Sequence, residues 1–195
     1  MMLFGTILSK FFRSKTRVDT NQFNCFEQKD EAWIDRAEIA ANLIAEITQS
    51  TERKPFRLAD IGCGDQKLRG MLMARIEGVE YLGFDLIPQS ESVIAFDLEN
   101  QTLPVVMDAA VLLGVLEYSE DILAALVRLR PMTRFLVVSH AVKDLRKKDQ
   151  RSKRRLNWKS HLTEADFAET LTMSGFAITD RRLTSNNRSV VWVCK

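Results

Sequence analysis

Cysteine is scarce in this chain of 195 residues. Cys25, Cys63 and Cys194 are odd in number, far apart and free of CxxC or Cys/His spacing. That pattern supports neither a disulfide framework nor a zinc site, and no metal is expected. Long apolar runs are missing as well. The uncharged stretch Met1 to Ser9 is too short to span a bilayer, and its basic residues follow the apolar part instead of preceding it as in a secretory signal. The cytoplasm is therefore the expected location. Internal repeats and low-complexity stretches are also lacking. What is present is ordinary for a globular protein: 46% hydrophobic and 28% charged residues, in a length that suits one α/β domain with its own core. The expected division is an arm over residues 1–25 and a single domain over 26–195.

Charge is nearly balanced overall and uneven locally. Lys143 to Arg155 holds eight basic residues against Asp144 and Asp149. With +2 for the whole chain and +6 in this segment, the remainder carries −4. A single basic segment on a mildly acidic protein suggests a local anionic partner: phosphates of RNA, an anionic lipid or a phosphorylated sugar. Leu156 and Trp158 beside it offer a stacking surface, yet no recognised RNA-binding motif accompanies them, so nucleic acid is not the favoured partner. Near the start, Met2, Leu3, Phe4, Ile7, Leu8, Phe11 and Phe12 precede Arg13, Lys15 and Arg17. An arm docked on the domain is the simple reading, and peripheral membrane contact by residues 1–17 is the alternative.

Along the domain, apolar residues from Trp33 to Ile47 recur at helical spacing within Glu27 to Gln49. Phe56 to Ile61 reads as a strand that stops at Gly62-Cys63-Gly64, and Leu68, Met71 and Leu72 predict a helix after it. Tyr81 to Phe84 predicts a second strand ending in Asp85, and Val93 to Phe96 a third ending in Asp97. Met107 to Leu116 is continuous enough for a strand covered on both faces. Ser119 is the expected cap of the next helix, which runs toward Pro131 and a fifth strand, Phe135 to Val138. Thr163 with Asp166 predicts a capping box, with Leu162 and Phe167 as its staple and Gly175 as its stop. Phe176 to Ile178 and Val190 to Val193, joined across Asn186-Asn187, predict a closing hairpin. Strands alternating with helices imply a mainly parallel sheet, whose ligands bind at the carboxyl ends of the strands.

Gly62, Gly64, Asp85 and Asp97 all fall at those ends. A dinucleotide fingerprint needs a third glycine three residues past the second, where this chain has Lys67. Asp60 would also face a pyrophosphate with like charge. S-adenosylmethionine suits the site better, because its amino group and sulfonium favour an acid nearby. Asp85 can then accept two hydrogen bonds from the ribose diol, while Asp97 with Leu98 can read and cover the adenine.

Leu58-Ala59-Asp60-Ile61-Gly62-Cys63-Gly64 followed by Tyr81-Leu82-Gly83-Phe84-Asp85 resembles the first two motifs of class I S-adenosylmethionine-dependent methyltransferases. Val111 to Tyr118 resembles the fourth-strand motif of small bacterial methyltransferases related to methionine-biosynthesis methyltransferase-like proteins. The resemblance covers roughly residues 30 to 140. It implies an α/β, Rossmann-like class I methyltransferase fold, a mainly parallel sheet with a C-terminal β-hairpin. It also implies a cofactor site of Asp60, Gly62, Cys63, Gly64, Asp85, Leu86, Asp97, Leu98 and Leu113. One departure stands out: Gln66 occupies the place of a third glycine, which predicts either weaker cofactor binding or a side chain turned outward.

Methyl transfer depends mainly on alignment, so the missing catalytic triad says nothing against it. For a base, His140 and His161 are the two imidazoles available, and Tyr118 is a third candidate for the acceptor side. The expected acceptor is a small molecule or glycan-type compound. An RNA substrate, or a methyltransferase-like binding protein without turnover, are the alternatives.

Overall fold

The computed structural model describes residues 31–51, 54–142, 158–187 and 189–195. Helix α1 (Glu31–Gln49) precedes strand β1 (Phe56–Ile61), helix α2 (Lys67–Met73), β2 (Val79–Asp85) and β3 (Val93–Ala95). Strand β4 (Met107–Leu113), helix α3 (Ile122–Leu129), β5 (Thr133–His140), α4 (Glu164–Met173), β6 (Ile178–Leu183) and β7 (Val190–Cys194) follow. The strands form one seven-stranded sheet in the order β3-β2-β1-β4-β5-β7-β6. β1 to β5 run parallel, and the closing hairpin adds β7 antiparallel to both β5 and β6.

Burial on both faces explains why the middle strands read as unbroken apolar runs. Every residue of β4 is buried. Ala109, Val111 and Leu113 face the layer of α1 and α2, where Ala37, Ala40, Ile44, Leu68 and Leu72 complete the packing. Ala110 and Leu112 face the opposite layer with Leu126, Phe167, Leu171 and Trp192. The buried side of α1 follows the three- and four-residue spacing of a helix face.

At three places the elements begin or end elsewhere than the sequence predicts. β4 stops at Leu113, because Gly114 takes a left-handed φ of 73°; a short 3-10 turn, Leu116–Tyr118, occupies the end of the apolar run. β3 ends at Ala95, two residues before Asp97. The cap of α3 is Asp121, whose side chain accepts from the Ala124 amide. Ser119 instead donates to Glu99 at 3.1 Å. At α4 the predicted capping box between Thr163 and Asp166 is formed. Gly175 closes that helix with φ 88°, its amide bonding Thr172 while the Phe176 amide bonds Leu171, the two bonds of a Schellman motif.

Both segments singled out for anionic partners, residues 1–17 and 143–155, lie outside the described residues, as do Cys25 and the proposed boundary at 25/26. Among the described residues, no helix is long and apolar enough to cross a membrane.

Candidate cofactor site

The sheet order reverses direction between β1 and β4, which opens a crevice at their carboxyl ends. The β1–α2 turn lies there. Gly62 has φ 72°, and a Cβ on it would fall 2.4 Å from Cγ2 of Val115, so only glycine fits. The amides of Gly62 and Cys63 bond the Phe84 carbonyl at 2.8 and 3.1 Å, lacing the turn to β2.

Asp85 fixes the same turn from the other side. One carboxylate oxygen accepts the Gly64 amide at 2.9 Å and the other the Ile87 amide at 3.0 Å. A carboxylate offers about four acceptor positions, so two remain for a diol. Leu86, next in sequence, is 56% exposed. Such an apolar side chain at the rim is suited to covering a ring. Leu98 and Leu113 are drawn into the two core layers instead.

Asp60 is 4% exposed and accepts a 2.6 Å hydrogen bond from the Tyr81 hydroxyl. Burial pushes its carboxyl up to about 7; the Tyr81 hydrogen bond works against that shift and the nearby Asp85 charge adds to it. Burial, together with Asp60 and Asp85, also drives the Cys63 thiol well above its ordinary range. The thiol is therefore neutral, and Cys63 serves by packing: a Cβ on Gly83 would lie 3.0 Å from its sulfur.

Asp97 is committed to its own turn, with one oxygen accepting the Glu99 amide at 2.9 Å and the other Asn100 Nδ2 at 2.8 Å. Gln66 adopts the left-handed conformation that a third glycine would take, with φ 59°. Its side chain turns away from the glycine turn and donates to Ser92 Oγ at 2.9 Å and toward Ser90 at 3.3 Å, tying the loop after β2 to the start of α2.

On the acceptor side, His140 is fully buried, packed against Phe167 with the rings tilted by 45° and their centroids 4.5 Å apart, and lies 3.3 Å from Ser160 Oγ. This is a packed position at the carboxyl end of β5. His161 and Tyr118 are half-buried.

Two residues that sequence reasoning passed over belong to this region. Glu117 is 1% exposed. Its carboxylate accepts the Ala141 amide at 2.8 Å, and its carbonyl accepts the amides of Lys159 and Ser160 at 2.8 and 3.0 Å. It thus pins together the chain on both sides of residues 143–157. Arg36, from α1, lies against Gly114. A charged residue next to Ala37 on the buried stripe of α1 was the signal that could have exposed it.

Comparison with solved structures follows the same geometry. The Haloferax volcanii protein solved in complex with the Trm112 methyltransferase activator superposes with a TM-score of 0.68 at 11% identity, over 89% of this chain and 95% of that one. The plantazolicin methyltransferase BpumL, solved with a substrate analogue and S-adenosylhomocysteine, gives 0.67 at 13% identity over 90% and 88%. The chain has a methyltransferase fold. Magnesium protoporphyrin IX methyltransferase from Synechocystis PCC 6803, also with S-adenosylhomocysteine bound, gives 0.63 at 18% identity over 83% of each chain. Within this methyltransferase fold the chain spans about half the length of some matched proteins, 53% of the pyocyanin biosynthetic protein PhzM among them. No family model and no curated protein sequence matches.

Proposed function

We propose that this chain is an S-adenosylmethionine-dependent methyltransferase acting on a small-molecule or glycan-type acceptor. The observation that carries the reading is the hydrogen bond from the Gly64 amide to Asp85, which joins the glycine turn to the acid after β2 in one crevice. The fit to the cofactor rests on the donor set. Asp85 keeps free acceptor positions for the ribose diol, Gly62 and Gly64 let the ligand approach the backbone, and Leu86 covers the adenine. Asp60 and Asp85 together favour a ligand carrying cationic groups over a polyphosphate. Bound there, S-adenosylmethionine supplies an electrophilic methyl group. The remaining task of the chain is to align an acceptor and exclude water, for which the wall held by Glu117 is placed beside the end of β4. Small-molecule and peptide-derived substrates in the matched methyltransferases support this acceptor class.

A ligand that binds only the folded state raises its melting temperature with concentration. S-adenosylmethionine and S-adenosylhomocysteine are expected to do so, and nicotinamide dinucleotides are not. Asp85→Ala, checked for folding, is expected to raise the S-adenosylhomocysteine Kd by about ten- to hundredfold, the weight of charge-assisted hydrogen bonds to one carboxylate. Stabilisation by a dinucleotide alone would defeat the proposal.

The basic segment supports a second element of the reading, an anionic group on the acceptor or on a surface the protein meets. Its flanking residues Ala141, Lys159 and Ser160 are all bonded to Glu117, beside the acceptor side of the crevice.

A further inference from the structure

Gln66 holds a backbone conformation that suits glycine. Its φ of 59° lies in the left-handed region, which strains a residue with a Cβ and leaves glycine unstrained. The turn demands that conformation: the Gln66 amide bonds the Cys63 carbonyl at 2.8 Å, and the Gln66 carbonyl accepts the Arg69 amide at 3.0 Å as α2 begins. Strain retained where glycine would relieve it calls for a compensating interaction of the side chain.

That side chain passes over β2. A Cβ on Gly83 would lie 3.5 Å from its Oε1, so bare backbone leaves it room. Oε1 lies 3.5 Å from Arg69 Nη1, which orients Nε2 toward Ser92 Oγ at 2.9 Å and Ser90 Oγ at 3.3 Å. The two serine hydroxyls are themselves 2.9 Å apart, and the Val93 amide bonds the Ser90 carbonyl at 3.1 Å. They form the closed far end of the loop between β2 and β3. Its near end is held by Asp85, which accepts the Ile87 amide with one oxygen and the Gly64 amide with the other. Residues 86–92 are therefore fastened twice to the glycine turn, through Asp85 to Gly64 and through the serines to Gln66. The loop so held begins with the exposed Leu86 at the rim of the crevice.

We propose that Gln66 is a positioning residue that latches the β2–β3 loop over the adenosine half of the cofactor. This inference rests on the methyltransferase reading above. A loop already ordered loses less conformational freedom when a ligand arrives, which strengthens binding without a new contact. The residue standing in place of a third glycine thus raises cofactor affinity instead of lowering it. Gln66 acts through the loop, so its effect falls on the adenosine half and not on the amino-acid end.

Calorimetry with S-adenosylhomocysteine and 5′-methylthioadenosine, which share the adenosine, tests it alongside melting temperatures. Gln66→Gly relieves the left-handed strain and removes the latch. It is expected to melt no lower than the wild type, yet to bind both ligands about three- to tenfold more weakly and by the same factor. A merely structural role would lower melting and affinity together. Ser90→Ala with Ser92→Ala, at two exposed positions, removes the other half of the latch and is expected to give a similar loss. Adding Gln66→Gly to that pair is expected to weaken binding no further, because all three side chains belong to one interaction. Unchanged affinity in either variant, a fall in the melting temperature of Gln66→Gly, a loss confined to S-adenosylhomocysteine, or fully additive losses in the combined variant overturns the latch and leaves the methyltransferase reading standing. Failure of the wild type to bind either ligand overturns both.

Discussion

Burial of Asp60 couples the glycine turn to pH. In the unfolded chain this carboxyl titrates near 3.8, and in the folded protein near 7. Between those values the folded state holds a proton that the unfolded state has released, so stability contributed here falls as pH rises through the window and levels off above it. Asp60→Asn keeps the shape and an acceptor for Tyr81 but cannot ionise. Measured by urea unfolding from about pH 4 to about pH 8, the variant should gain on the wild type with rising pH, by a few kcal/mol at most. Parallel pH profiles for the two proteins would show that Asp60 is not desolvated. The placement of Asp60, Gly62, Gly64 and Asp85 at the ends of β1 and β2 was readable from sequence because strand-end acids and a glycine turn leave a mark in spacing. Arg36 left only a faint one, a charge beside Ala37 on the buried stripe of α1, and its contact with Gly114 joins positions 78 apart in sequence.

Elements were more legible in kind than in extent. The box at α4 was readable because both partners lie within one turn of chain, and its energetic weight can be measured. Thr163 accepts the Asp166 amide at 3.1 Å, and Asp166 accepts the Thr163 amide at 3.2 Å. Thr163→Ala removes one half of this exchange and should cost about 1 kcal/mol in chemical denaturation, with an unchanged denaturant slope. A variant as stable as the wild type would mean that water replaces the cap at no cost. The end of β4 was illegible for the opposite reason. Val115 and Leu116 continue the apolar run, yet Gly114 turns the chain so that Val115 packs over Gly62 and Leu116 enters the core. Likewise Ser119 and Asp121 are both acceptable caps in isolation. Glu99, a residue 20 positions earlier, decides between them by engaging Ser119.

For the whole molecule, alternation of strands and helices was enough to give the parallel sheet. Strand order was not, because period and composition do not say which strands become neighbours. Charge follows a different logic from fold: the excess of +6 in residues 143–155 sits on a chain that is otherwise net negative. Such a segment contributes through long-range attraction more than through packing. Neutralising Arg151, Lys153, Arg154 and Arg155 together is therefore expected to leave S-adenosylhomocysteine affinity and the melting temperature nearly unchanged, since isolated surface substitutions shift stability by about 0.5 kcal/mol or less. Binding to an anionic partner should weaken. Its dependence on salt should also flatten, because a protein that neutralises fewer phosphates releases fewer counterions. Paired salt titrations of wild type and quadruple variant, with RNA in one series and anionic vesicles in the other, separate nucleic acid from lipid. Weakening confined to one series identifies the macromolecular partner. If wild-type binding is absent in both, or survives the substitutions with the same slope, the segment has no role in holding such a partner, and an anionic group on a small acceptor is the reading left to test.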